Sequence, residues 1–118
     1  MFQRQFLGYP RNDPFLTKAA DNLSTAIPTI LGGDWPAVPY EIYYGTLAAF
    51  QTQGTVWNKW NLAMKKILLN AQRKGDTRIL GGSWDPENDE VGSHGGRVLV
   101  TALYCLCLEV YYRYETMN

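Results

Sequence analysis

The sequence predicts an all-α fold of repeated αα-hairpins with about four main helices, on the basis of three observations. One long segment repeats its apolar residues at three- and four-residue steps, which is the period of an amphipathic helix. Two other segments are apolar around almost their whole circumference, as enclosed helices are. A short glycine-tryptophan motif occurs twice, about 50 positions apart, and such a period is typical of helical-hairpin arrays.

The amphipathic helices are the first and third in chain order. The first is predicted over Pro14 to Ile27, with Asn12 or Asp13 as its N-cap and a proline in its first turn. The other lies in "TVWNKWNLAMKKILLNAQRKG" and stops at Gly75. Its apolar face consists of Trp57, Trp60, Met64, Ile67, Leu68 and Ala71.

The apolar helices are the second and fourth, in "YEIYYGTLAAFQTQG" and "RVLVTALYCLCLEVYYRY". Val98 and Val100 alone would suggest a strand, but a run of about 17 residues is too long for a typical one. We therefore predict a helix, and we expect both apolar helices to be buried on all sides.

The repeated motif is "GGDW" at Gly32 to Trp35 and "GGSW" at Gly81 to Trp84. Each copy follows an amphipathic helix and precedes an apolar one that contains a small threonine step, at Thr46 and at Thr101. This order predicts an inner layer of apolar helices and an outer layer of amphipathic ones. Residues 1–118 are interpreted as a single domain of two hairpin repeats, forming part of an α/α-toroid.

The composition disfavours several classes of partner. Lysine plus arginine and aspartate plus glutamate number 11 each, so the chain lacks the positive balance of a nucleic-acid binder. The longest uncharged apolar run, Val98 to Leu108, is shorter than the roughly 20 residues that span a bilayer. Cys105 and Cys107 stand two apart on a predicted helix and cannot bridge each other. Reduced thiols favour a cytoplasmic location.

"LLNAQ", "GGSW" and "GGRVLVTALYCLCLEVYYRY" together resemble the squalene cyclase and protein prenyltransferase superfamily of α/α-toroids. The resemblance extends to bacterial squalene-cyclase-like proteins of unassigned function, and it covers roughly Phe15 to Tyr114. Gln72 with Gly82 and Trp84 looks like that family's Gln/Trp motif, although the gap after Gln72 is longer than usual. The resemblance implies that the glutamine caps helix ends and that the tryptophan stacks against the neighbouring repeat.

The family's catalytic motifs do not carry over. Class II terpene cyclases use an Asp-x-Asp-Asp acid, and the nearest string here, Asp85 to Glu90, has the charge without the spacing. Prenyltransferase-like zinc sites use an Asp-x-Cys pair, which this sequence also lacks. We therefore assign no catalytic residue, no metal and no cofactor, and the interpretation leans against an enzyme.

The segment "GGSWDPENDEVGSHGGR" is interpreted as a structural turn with an acidic rim. Trp84 would anchor the turn, Gly95 and Gly96 would let the backbone approach closely, and Arg97 would pair with an acid. A cation site and a catalytic acid are the weaker alternatives, because the spacing fits neither an EF-hand nor a zinc site. The candidate ligands for a cation are Asp85, Glu87, Asp89, Glu90 and His94.

The tyrosines of the inner helices are candidates for a binding role. Tyr44, Tyr104 and Tyr111 are candidates to line an apolar ligand site by aromatic contact. Packing and hydrogen bonding between layers is the favoured alternative for buried tyrosines.

Three functional hypotheses follow from these observations. The favoured one is a toroid segment that is not catalytic alone and acts as a structural or interaction module. Its partners would be a second copy of the chain or the remaining repeats of a longer one, because an array of hairpins has apolar ends. The alternatives are part of a cyclase or prenyltransferase-like enzyme, and a carrier of an isoprenoid or other apolar small molecule.

Overall fold

The structure, a computed structural model, describes residues 1–33, 38–75, 80–86 and 90–113. Within these residues the chain forms five helices and no strand. The helices are α1 (Phe2–Phe6), α2 (Pro14–Leu31), α3 (Pro39–Thr52), α4 (Gly54–Ala71) and α5 (Glu90–Arg113). The all-α prediction is confirmed for this part of the chain, and the short helix α1 comes in addition to the four main helices.

Helix α2 begins as predicted and ends later. Asp13 is its N-cap, because its Oδ1 accepts a hydrogen bond from the Leu16 amide at 3.1 Å. The helix continues through Pro28 to Leu31, past the predicted end at Ile27. Leu31 is buried, and its packing holds the last turn in place although Pro28 donates no backbone hydrogen bond.

A single residue, Gln53, joins α3 to α4. Its backbone has φ 59° and ψ −168°, and Gly54 follows with φ 61°. Positive φ is costly for a residue with a β-carbon, and here it reverses the chain in one step. The two helices are consequently an antiparallel hairpin, in which Trp57 packs on Phe50 and Trp60 reaches Thr46.

Helix α5 contains a break. Gly96 has φ 66° and ψ −167°, so the chain changes direction between a first helical segment and the long one that starts at Arg97. Glycine adopts this backbone conformation without the strain that a β-carbon would add. The long segment is the helix predicted from "RVLVTALYCLCLEVYYRY".

Helix α3 is central to the packing, because it contacts α1, α2, α4 and α5. Helix α2 also packs against α4. Phe50 meets Tyr111 and Thr46 meets Cys107, so residue numbers rise together and α3 runs parallel to α5. Helix α1 lies over the C-terminal half of α3, where the Gln5 amide donates to the Ala48 carbonyl oxygen at 3.1 Å.

The hydrophobic core lies where α3, α4 and α5 meet. All six apolar positions predicted for α4 are buried, including Trp60 and Leu68 at 0% exposure. The expectation that α3 and α5 are buried on all sides is wrong for this chain: Tyr44 is 54% exposed, Val98 82% and Tyr112 85%. These residues stay in solvent because no helix of the described residues packs over that side of α3 or α5.

Across the described ranges, no helix has both the length and the apolar content that a bilayer crossing requires.

Candidate functional site

The segment between α4 and α5 folds back onto the end of α4. The Arg73 amide donates to the Ser83 carbonyl oxygen at 2.9 Å, and the Gly82 amide donates to the Arg73 carbonyl oxygen at 2.7 Å. The Gln72 side chain adds a bond from Nε2 to the Gly82 carbonyl oxygen at 2.8 Å. Gly82 has φ 86°, which a residue with a β-carbon rarely adopts. The motif residues Gln72 and Gly82 are therefore in direct contact.

Trp84 connects this turn to two helices. Its indole Nε1 donates to the Leu68 carbonyl oxygen of α4 at 2.8 Å, and its ring meets the edge of Tyr104 of α5 at 5.6 Å. Its backbone amide donates to the Thr101 hydroxyl oxygen at 3.1 Å. The side chain is 1% exposed, so its large aromatic surface is buried in the core while its polar N–H keeps a hydrogen-bond partner.

Asp85 lies beside Trp84 and accepts from two arginines. Arg73 donates to its Oδ2 at 3.2 Å, and Arg97 donates to its Oδ1. The hydrogen bond from Arg97 lowers the pKa of the Asp85 carboxyl, against the opposing effect of partial burial, and Arg73 lowers it further. Arg97 also donates to the Ser83 hydroxyl oxygen at 2.8 Å. The cluster fastens the start of the long segment of α5 to the end of α4.

The acidic residues of the loop are only partly described. Asp85 is engaged by the two arginines, and Glu87 and Asp89 lie outside the described residues. Glu90 and His94 belong to the first segment of α5, and their side chains are not among those described. Among the residues that the structure describes, no group of three His, Cys, Asp or Glu side chains could hold a metal ion. The cation site therefore stays a prediction.

The three candidate tyrosines lie in different environments. Tyr104 is buried against Trp84 and is 1% exposed. Tyr44 is exposed and packs on Tyr43 with 5.1 Å between ring centroids. Tyr111 is also exposed and meets the edge of Phe50 at 6.4 Å. Tyr104 is thus a packing residue, while the other two rings have surface available for contact.

A buried polar contact at Thr46 is the feature that sequence reasoning missed. The Thr46 hydroxyl accepts from Trp60 Nε1 at 2.9 Å and donates to the Ile42 carbonyl oxygen at 2.6 Å. Thr46 also lies by the Cys107 thiol: burial raises the pKa of that thiol to about 12, and Thr46 acts in the opposite direction. Three helices therefore meet at one hydroxyl, and the repeated threonine step was the available sequence signal.

No protein-family model, curated protein or solved structure matches this chain. The resemblance to the toroid superfamily therefore rests on the residues quoted above and remains a prediction.

Proposed function

We propose that the chain is a squalene-cyclase-like α/α-toroid segment, not catalytic on its own, that acts as a structural or interaction module. The observation that supports it best is the pairing of helices two apart in the chain. In an up-and-down bundle the main contacts join consecutive helices, and helices two apart face each other across the diagonal. Here α3 packs side by side with α5, and α2 with α4, as in stacked hairpins.

A stack of hairpins has an end that another hairpin can cover. One face of α5 consists of Val98, Ala102, Cys105, Glu109 and Tyr112, which recur at four- and three-residue steps. We call this face the α5 edge. It is apolar except for Glu109, and Val98 and Tyr112 are among its most exposed members. Burying this edge in a contact would stabilise the assembly by roughly 25 cal/mol for each Å² of apolar surface removed from water.

The proposed partner of the α5 edge is a second copy of this chain. Because the same edge recurs on every copy, association needs no other component, and a symmetric dimer is the commonest outcome for soluble chains. The mass of the purified chain, measured by light scattering over a concentration series, tests this directly. A dimer or larger closed assembly is expected.

The Ala102→Glu variant locates the contact. It places a charge in the middle of the α5 edge without shortening the helix, so it should shift the chain to monomer. The matched control is Thr25→Glu, an equally drastic change on the exposed face of α2. If the unmodified chain is monomeric at every concentration, or if both variants associate as it does, the proposed use of the α5 edge is wrong.

A further inference from the structure

A groove of about 220 Å³ lies between α4 and α5, separate from the Asp85 cluster. One wall is formed by Trp57, Asn61 and Lys65, which recur at four-residue steps and so share one face of α4. The other wall belongs to the C-terminal half of α5, with Cys107, Leu108, Val110, Tyr111 and Tyr112. Of these lining residues, Lys65 carries the only charge.

The aromatic end of the groove is held together by ring contacts. Phe50 meets Trp57 edge-on at 5.2 Å and Tyr111 at 6.4 Å, and Tyr111 meets Tyr112 at 5.4 Å with ring planes 87° apart. Edge-to-face contacts of this kind fix the rings relative to one another. Tyr111 and Tyr112 nevertheless remain exposed, so their faces are open to a ligand that lies beside Trp57.

The polar end of the groove is provided by Lys65. It lies two helical turns from Trp57, about 12 Å along the α4 axis, and a lysine side chain can span part of that distance. Within the described residues Lys65 makes no ion pair, so its ammonium group is available to an anion. Asn61 lies between the two ends and offers an amide donor and acceptor.

We infer that this groove binds a small arylalkanoate, with its ring against Trp57, Tyr111 and Tyr112 and its carboxylate at Lys65. The volume is below the roughly 300 Å³ at which drug-sized sites begin, so the ligand has a single ring. A lone ammonium group matches one negative charge, which favours a carboxylate over a dianionic phosphate. The inference goes beyond the proposed function, because the groove is formed within one chain, although Tyr112 lines the groove and also belongs to the α5 edge.

The test is a titration of the isotope-labelled full chain with 3-phenylpropionate, followed by amide and indole N–H resonances. The expected result is saturable shifts at the Trp57 indole and around Tyr111, with a dissociation constant on the order of 0.1–1 mM for a ligand of this size. The neutral amide 3-phenylpropanamide should bind about threefold to fivefold more weakly, because it lacks the charge that the exposed Lys65 would pair.

Two lysine variants separate this site from general surface binding. Lys65→Met should weaken binding of 3-phenylpropionate by about threefold to fivefold, whereas Lys59→Met, on an exposed position of the same helix outside the groove, should leave it unchanged. Tyr111→Ala should also weaken binding, because it removes a ring that would contact the ligand. That ring is largely exposed, so we expect the variant to fold. Absence of saturable shifts, equal binding of acid and amide, or equal loss in both lysine variants would overturn the inference. Because Tyr112 also belongs to the α5 edge, the titration is repeated in the Ala102→Glu background, where the same differences are expected.

Discussion

Trp60 of α4 packs directly on Gly45 of α3, where a β-carbon would stand only 2.6 Å from the indole Cζ2. The same indole donates its Nε1 hydrogen to Thr46, the next residue along α3, at 2.9 Å. The glycine and the threonine thus form one seat for the ring, the first by leaving space and the second by accepting a bond. The close approach of α3 and α4 depends on this pair of residues.

We predict that Gly45→Ala destabilises the protein, although alanine is the better helix former by about 1 kcal/mol. The added methyl group meets a buried ring that has no room to move, so the free energy of unfolding should fall by about 1–3 kcal/mol. Urea unfolding measures the change.

The Trp60→Phe background is the control for this prediction. The smaller ring lacks the indole atoms that crowd Gly45, so Gly45→Ala should cost less there than in the unmodified chain. An equal cost in both backgrounds would mean that the clash with Trp60 is not the cause.

Thr101→Val tests the contact between the turn and α5. Valine keeps the shape of threonine but removes the acceptor of the Trp84 amide, so a partly buried N–H loses its partner. We expect the free energy of unfolding to fall by about 1 kcal/mol. Thr25→Val on the exposed face of α2 is the matched control, with a change within about 0.5 kcal/mol. Equal effects of the two variants would remove any special role for Thr101.

The amphipathic helix α4 was predictable because local periodicity alone decides which of its residues face a core. The end of α2 was not predictable from the sequence. The helix continues beyond Pro28 because Leu31 packs in the core, and that packing is a tertiary effect. Likewise the sequence identified Trp84 and Gln72 as a motif through a family resemblance. It predicted that Arg97 would pair with an acid, but it could not indicate that this acid is Asp85 or that Arg73 joins it, because that depends on how the turn returns to α4.

The groove between α4 and α5 illustrates the same limit. Lys65 is simply a polar-face residue in the helical pattern, and Tyr111 belongs to an apolar helix. They line one groove because α3 packs against both α4 and α5, an arrangement that single-sequence periodicity does not contain.

The Asp85 cluster should make stability depend on pH in the acid range. The pKa of Asp85 is lowered in the folded state. Its contribution to the free energy of unfolding is therefore present above the unfolded-state pKa of about 3.9 and is lost as pH falls through the folded-state pKa. We predict that Asp85→Asn lowers the free energy of unfolding by about 1 kcal/mol at pH 7, the upper range for an accessible ion pair. The difference from the unmodified chain should shrink below about pH 4. A difference that stays constant from pH 7 to about pH 2 would contradict this account.

The hairpin between α3 and α4 contains a strained residue that glycine should relieve. Gln53 has φ 59° and ψ −168°, a region that is occupied almost only by glycine. We predict that Gln53→Gly raises the free energy of unfolding by about 1 kcal/mol. Gln53→Ala, the control, also loses the side-chain bond to the Phe50 carbonyl oxygen but keeps the β-carbon, and so should not stabilise. If alanine stabilises as much as glycine does, the backbone of Gln53 is not under strain.

The two cysteines should differ in their reaction with iodoacetamide. The thiolate is the reactive form, and burial raises the pKa of Cys107 to about 12 while Thr46 acts in the opposite direction. Burial also raises the pKa of Cys105, with the charge of Glu109 adding to it, but this thiol is only half-buried on the α5 edge. At pH 8 we expect Cys105 to react more slowly than in the urea-unfolded chain, and Cys107 to react at least about 100-fold more slowly than there. Peptide mass spectrometry over time reads both sites at once, and a Cys105→Ser variant excludes an effect of the first modification on the second. Equal rates for the two thiols in the folded chain would mean that Cys107 is not enclosed between α3 and α5.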